Sequence, residues 1–244
     1  MQELLSILTH FVQDDLPITL SVGVGCILMA HKLERRKGFA LQAIASVAVV
    51  SIWMILMYAV RNFLPITDGL PWYTFAVVKY AGLFVMYGLS VAWMSKASFC
   101  QALYAVTVSY SIQNMCERLI QIPRYSMESF PMLWDRCCLL VLMTLCLWVY
   151  YQLCFSSGQK RRVFDFTNIN SIYMLFLAAG VLLISIGLDT YMYGSMPVLP
   201  INARNALNIM SALFSLLTVV ISMSHVRETE AERQASVAVQ LLHA

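Results

Sequence analysis

The chain has 244 residues, of which 60% are hydrophobic and 12% charged, with a formal net charge of +3. Soluble domains carry about a quarter charged residues and about half apolar ones. The composition therefore excludes an ordinary soluble domain and places the chain in the membrane class, with the lipid bilayer as its first partner and no nucleic acid.

A hydrocarbon core of about 30 Å takes about 20 helical residues. In that core the backbone must bond internally, as a helix. Seven apolar runs reach or nearly reach this length, and the period-2 alternation of a β-barrel is absent. The N-terminus has no basic lead and no small-residue cleavage site, so no secretory leader is expected. In chain order, residues 4–12 read as an amphipathic lead-in. Span 1 covers about Leu16 to Ala30, stopped by HKLERRK. Span 2 covers Gly38 to Val60, and span 3 opens after Pro71 and runs to Trp93. Span 4 covers Phe99 to Ile120, span 5 Leu133 to Phe155, span 6 Ile169 to Leu188 and span 7 Ala203 to Met223. The expected fold is all-α: a polytopic bundle of seven transmembrane helices over residues 1–224, followed by a short cytoplasmic juxtamembrane helix, residues 225–244.

Charge gives the direction. One side receives Lys32, Arg35, Arg36, Lys37, Lys96, Lys160, Arg161, Arg162, Arg227 and Arg233, ten basic residues. The other receives Arg61, Arg118, Arg124, Arg136 and Arg204, which is five. The positive-inside rule puts the first side in the cytoplasm, so the N-terminus with Asp14 and Asp15 is expected outside and the C-terminus inside.

Enzyme motifs such as G-x-x-x-x-G-K-[ST], H-E-x-x-H and G-x-S-x-G are missing, and no catalytic residue, cofactor or metal site is expected. The seven cysteines lie almost all within apolar helices and read as packing residues. Lys79 is the least expected residue, about eight residues into span 3. An ionisable group there defaults to a functional reading, set against plain snorkelling or pairing for packing. A retinal lysine would belong in the last span, which has none. Gln113 and Glu117 share a face of span 4 with Asn114 and Arg118 beside them, Asp189 closes span 6, and Arg204, Asn205 and Asn208 open span 7. The expectation is an outward-facing ligand pocket lined by Lys79, Gln113, Asn114, Glu117, Asp189, Arg204 and Asn208. The competing reading is interhelical hydrogen bonding alone.

The stretch WMSKASFCQALYAVTVSYSIQNMCERL, residues 93–119, resembles the fourth-span region of multi-pass sensor histidine kinases of the GHKL type. The matching positions are Phe99, Cys100, Ala102, Tyr110, Gln113 and Asn114, the last often His in that family. LERRKGFALQ is similar to the basic link before the family's second span, and the tail ETEAERQASVAVQLLHA to its charged helix ending in Leu-Leu-His. The resemblance covers the sensor half of that architecture, and extends more distantly to the peptide-sensing quorum kinases of the agr system. It implies a receptor in a bacterial cytoplasmic membrane, a homodimer, and an extracellular peptide or small-molecule ligand. The dimerisation helix with its phosphorylatable His and the ATP-binding domain would lie beyond residue 244. Kinase activity and a response-regulator partner would come only with that half, and His243 is not the phosphoacceptor. In the tail, Ala231, Ala235, Ala238 and Leu242 follow the 4-3-4 spacing of a coiled-coil seam, too short and alanine-rich to dimerise alone. With His225 they are the expected signal relay. The alternative function is a small transporter or channel, against which stand the absence of internal repeats and broken helices and of polar residues in the inner halves.

Overall fold

The computed structural model of the chain describes residues 7–9, 11–64, 70–126, 132–155, 169–194 and 199–242. A π-helical turn, Phe11–Asp15, leads into seven α-helices. They are α1 (Leu16–Lys32), α2 (Phe39–Phe63), α3 (Leu70–Met94), α4 (Phe99–Ser126), α5 (Met132–Phe155), α6 (Ile169–Gly194) and α7 (Ile201–Leu242). The second basic cluster, Lys160 to Arg162, the lead-in residues 4–6 and His243 lie outside the described residues.

Among the described residues five helices are long and apolar enough to cross a membrane: α2, and the stretches Pro71–Met94, Cys137–Cys154, Ile172–Met192 and Ile201–Glu228 of α3, α5, α6 and α7. A sixth crossing forms if α1 is joined to its lead-in Ile7–Gln13, from which it is bent by 49°. The chain is a membrane protein on this count. Helix α4 falls short by composition, because Gln101, Gln113, Asn114 and its serines and tyrosines lower its hydropathy even ahead of Glu117 and Arg118, yet it sits at the centre of the bundle. It packs against α1, α3, α5, α6 and α7, and nearly every residue from Ala102 to Gln121 is buried or half-buried. A charged helix tolerates a bilayer only when its neighbours shield it in this way.

The packing follows a 3.5-residue repeat of small and polar groups. On α4 the buried positions Tyr104, Thr107, Ser111, Asn114, Arg118 and Gln121 alternate steps of three and four. On α7 so do Asn208, Ser211, Ser215, Thr218, Ser222 and His225, and on α6 Ala178, Leu182, Ser185, Asp189 and Met192. Lipid tails are as apolar as leucine, so helices in a bilayer associate through close backbone approach and hydrogen bonds rather than apolar burial. The opposite face of α7 carries Met210, Leu213, Leu217 and Val220, all about half exposed. The polar seam reaches His225, so the expectation that the inner halves lack polar residues fails. The cause is that single serines and threonines spaced along apolar runs leave mean hydropathy high.

Close helix approach needs missing side chains at two points. A Cβ on Gly25 of α1 would lie 2.7 Å from Ser109 Cβ of α4. One on Gly23 would lie 2.8 Å from the Tyr87 hydroxyl of α3, which donates to the Thr19 carbonyl. At the basic end the two short links are zipped together. Arg36 N–H donates to Met94 O at 3.1 Å, Lys96 N–H to Glu34 O at 2.8 Å, and Lys96 Nζ meets Glu34 Oε1 at 2.5 Å. Gly38, at φ +82°, turns the chain from this link into α2.

Candidate functional site

The polar residues gather toward the end of the bundle opposite the basic links. The π turn and the bend behind it bring Asp15, expected at the outer end of the bundle, inward to a buried position. Its Oδ1 accepts from Lys79 Nζ at 2.7 Å, and their side chains are 6% and 14% exposed. Lys79 also lies 5.5 Å from the Tyr80 ring centre, while its backbone carbonyl accepts from Trp53 Nε1 at 3.2 Å. The latter bond ties α2 to α3 where Gly82 gives the Trp53 ring room.

A second ion pair joins α4 to α6. Arg118 Nε meets Asp189 Oδ1 at 2.9 Å with side chains 5% and 10% exposed. The contact is ionic rather than an in-line hydrogen bond. Arg118, expected in the outer half of span 4, is a buried hub. Its NH1 donates to Gln121 Oε1 at 2.8 Å, and its Nε approaches Asn114 Oδ1 at 3.4 Å. The Glu117 carboxylate accepts from Gln113 Nε2 at 2.6 Å and from Gln121 Nε2 at 3.2 Å. Asn114 Nδ2 points to three hydroxyls, Ser185 Oγ at 2.9 Å, Ser215 Oγ at 3.1 Å and Ser211 Oγ at 3.3 Å. Ser185 Oγ itself lies 2.8 Å from Ser211 Oγ and 2.9 Å from Ser215 Oγ. The chain of contacts thus links α4, α6 and α7 near mid-height.

Of the seven expected pocket residues, the structure brings Gln113, Asn114, Glu117 and Asp189 into one network. Lys79 stands in the neighbouring pair with Asp15. Tyr80 follows Lys79 on α3, its ring beside the Lys79 ammonium. Arg204 turns back at the start of α7, its Nε donating to Leu199 O at 2.8 Å. Asn208 is fully buried, and neither atom of its amide has a hydrogen-bond partner among the described residues. An open apolar groove between α2 and α3, lined by Met57, Val60, Phe75 and Val78 among others, carries none of the expected residues.

At the basic end His225 is buried, its ring 6.3 Å from that of Tyr104. The Tyr104 hydroxyl lies 2.5 Å from the Tyr150 hydroxyl and donates to Ser222 O at 3.1 Å. Beyond this point α7 leaves the bundle: Ala231, Ala235 and Ala238 are exposed, and Leu242 closes the helix.

Sequence reasoning missed Asp15, Tyr80, Gln121 and the serines Ser185, Ser211 and Ser215. The signal that could have found the serines is the three-four alternation of polar residues on α7, repeated on α4. The arrangement holds charge and hydrogen bonds inside a bundle, and its acids and amides suit binding and conformational coupling rather than bond-making chemistry. No protein-family model, curated protein or solved structure matches the chain.

Proposed function

We propose that the chain is the membrane sensor portion of a GHKL-type histidine kinase in a bacterial cytoplasmic membrane. It crosses seven times, with the N-terminus outside and α7 emerging into the cytoplasm. The orientation rests on the basic residues of the short links, Lys32 to Lys37 and Lys96, together with Arg227. Burial of Arg118 removes one of the few charges assigned to the other side. Helix α4 makes the seventh crossing, shielded by its neighbours.

The observation that carries this reading is the continuity of α7. Its 42 residues extend about 63 Å at 1.5 Å per residue. One part packs into the Asn114 and Ser185 network, and the other ends as an exposed helix. A ligand that binds two helix arrangements unequally shifts their populations, and an unbroken helix carries that shift out of the membrane. The exposed segment is too short to be stable alone in water. A second copy offers a matching seam at Ala231, Ala235, Ala238 and Leu242, which makes a homodimer the working form.

The test is a fusion of this chain to the catalytic half of a GHKL kinase, reconstituted in nanodiscs. Reversing the buried pair, Arg118→Asp with Asp189→Arg, should change autophosphorylation severalfold while the bundle stays folded. Unchanged autophosphorylation, together with solute or ion flux through the chain in liposomes, would favour a transporter and sink the sensor reading.

A further inference from the structure

Helices α2 and α3 are both long and apolar enough to cross a membrane, and they pack unevenly along their length. Deep in the bundle they touch: a Cβ on Gly82 of α3 would strike the Trp53 indole of α2, and Trp53 Nε1 donates to Lys79 O at 3.2 Å. One helical turn from that contact a groove opens instead. Met57 stands four residues beyond Trp53, and Val78 four residues before Gly82. From these two the groove, of about 530 Å³ and almost wholly apolar, runs between the helices to Leu64 and Pro71.

Its dimensions fit one hydrocarbon chain of one leaflet. Met57 to Leu64 and Pro71 to Val78 are each seven residue steps, about 10 Å at 1.5 Å per residue. Half of a hydrocarbon core of about 30 Å is about 15 Å. The groove therefore runs from the end of the two spans through most of a leaflet. Met57 and Phe75 are buried at its floor, while Val60, Leu64 and Val78 are exposed at its edges. On a chain whose outer face meets lipid, hydrocarbon fills such a groove. Lipid tails are as apolar as the groove wall, so the tail brings no preference of its own, and any preference comes from the head.

The end of the groove carries a cation. Arg61, exposed in the last turn of α2, holds its guanidinium over the Trp72 ring at 4.7 Å. The Trp72 ring lies in turn 6.0 Å from that of Phe75 on the groove floor. Stacking engages the face of the guanidinium and leaves its in-plane N–H fork to donate to an anion. Phosphate is an anion whose geometry matches that fork.

We propose that the α2–α3 groove holds one acyl chain of an anionic phospholipid whose phosphate is bound by Arg61. A second copy of the chain suits the face less well. A two-fold axis through the groove would set a second Arg61 against the first, cation against cation. The proposal needs only the membrane setting, so it stands or falls apart from the sensor reading.

The experiment places the full chain in nanodiscs of phosphatidylcholine with a trace of a phospholipid that carries a photoactivatable diazirine in its acyl chain. Two versions of this probe share the chain and differ in the head, phosphatidylglycerol or phosphatidylcholine. Irradiation and mass-spectrometric peptide mapping show where each attaches. Residues 57–64 and 71–78 should be labelled about fivefold more by the phosphatidylglycerol probe, the scale of one basic side chain beside an anionic head. Leu145, exposed on α5, should take both probes alike. Arg61→Gln should bring the two probes level at the groove, and Arg61→Lys should keep most of the preference. Val78→Trp, which fills the deep end, should lower groove labelling by both. Circular dichroism on each variant separates lost binding from lost folding. Equal groove labelling by the two probes in the unaltered chain, or a preference that survives Arg61→Gln, overturns the proposal. So does a groove that excludes both probes and cross-links to a second copy, which would assign this face to a dimer.

Discussion

The Lys79 ammonium and the Asp15 carboxylate, 64 residues apart in the chain, meet at 2.7 Å inside the bundle. The pair fastens the π turn before α1 to the middle of α3. A buried pair resists removal of one partner, because the survivor is left charged and unpaired, at a cost of about 3–5 kcal/mol. Lys79→Met should therefore destabilise the bundle by roughly that amount. Adding Asp15→Asn should recover most of the loss, since both charges are then gone. Unfolding of the single and double variants in a double-mutant cycle checks this, and simple additivity of the two losses would contradict it.

The Lys79 pair also marks where the sequence stops being informative. The seven apolar runs were legible as helices because each reaches or nearly reaches the length that fills a bilayer, and α1 to α7 begin within a few residues of the expected spans. Helix α4 was legible as a helix although it is poorly apolar, because its run from Phe99 holds no charge before Glu117. Asp15 was not legible as Lys79's partner. It lies just before the first apolar run and reads as a loop charge, and only the bend ahead of α1 turns it inward. Arg118 was read within span 4 but not as the partner of Asp189, since sequence position near a span end says nothing about which neighbour shields it. Pairings of this kind depend on the register between helices, which the pattern of a single helix does not fix.

Asn114 holds three helices through one amide. Each interhelical hydrogen bond in a bilayer contributes about 0.6 kcal/mol, so Asn114→Ala, which removes the two that one amide NH2 can donate, should cost roughly 1 kcal/mol. The Ser185→Ala change should cost less, because Ser211 and Ser215 remain for the Asn114 amide. Reversible unfolding in mixed micelles measures both. An Asn114→Ala cost equal to that of a lipid-facing Leu213→Ala control would contradict the network.

Gly25 lets α1 lie against α4 at Ser109. Gly25→Ala places a methyl 2.7 Å from Ser109 Cβ and should cost about 1–3 kcal/mol by overpacking. Ser109→Gly should relieve it. Thermal unfolding of Gly25→Ala with and without Ser109→Gly reads the effect, and the absence of any rescue would mean that the contact is not the cause.

Backbone amides of the central α4, between Tyr104 and Gln121, should exchange with deuterium far more slowly than those of α7 after Ala231. The first set is enclosed by five helices, whereas the second has exposed side chains and local opening close to free. Mass-spectrometric exchange on the reconstituted chain tests this. Equal protection of both segments would mean that the tail already has a partner in the isolated chain.

The central claim is that α7 relays a change in the polar network to the segment beyond His225 as one rigid helix. It is tested most directly by autophosphorylation of the kinase fusion carrying one to seven alanines inserted between Glu228 and Thr229. Each residue turns the helix by about 100°, so seven return it to within about 20° of its starting face. Activity that varies with the helical phase and returns at seven residues is the predicted result. Activity that is flat across the series, or that falls steadily with length, would contradict a rigid relay.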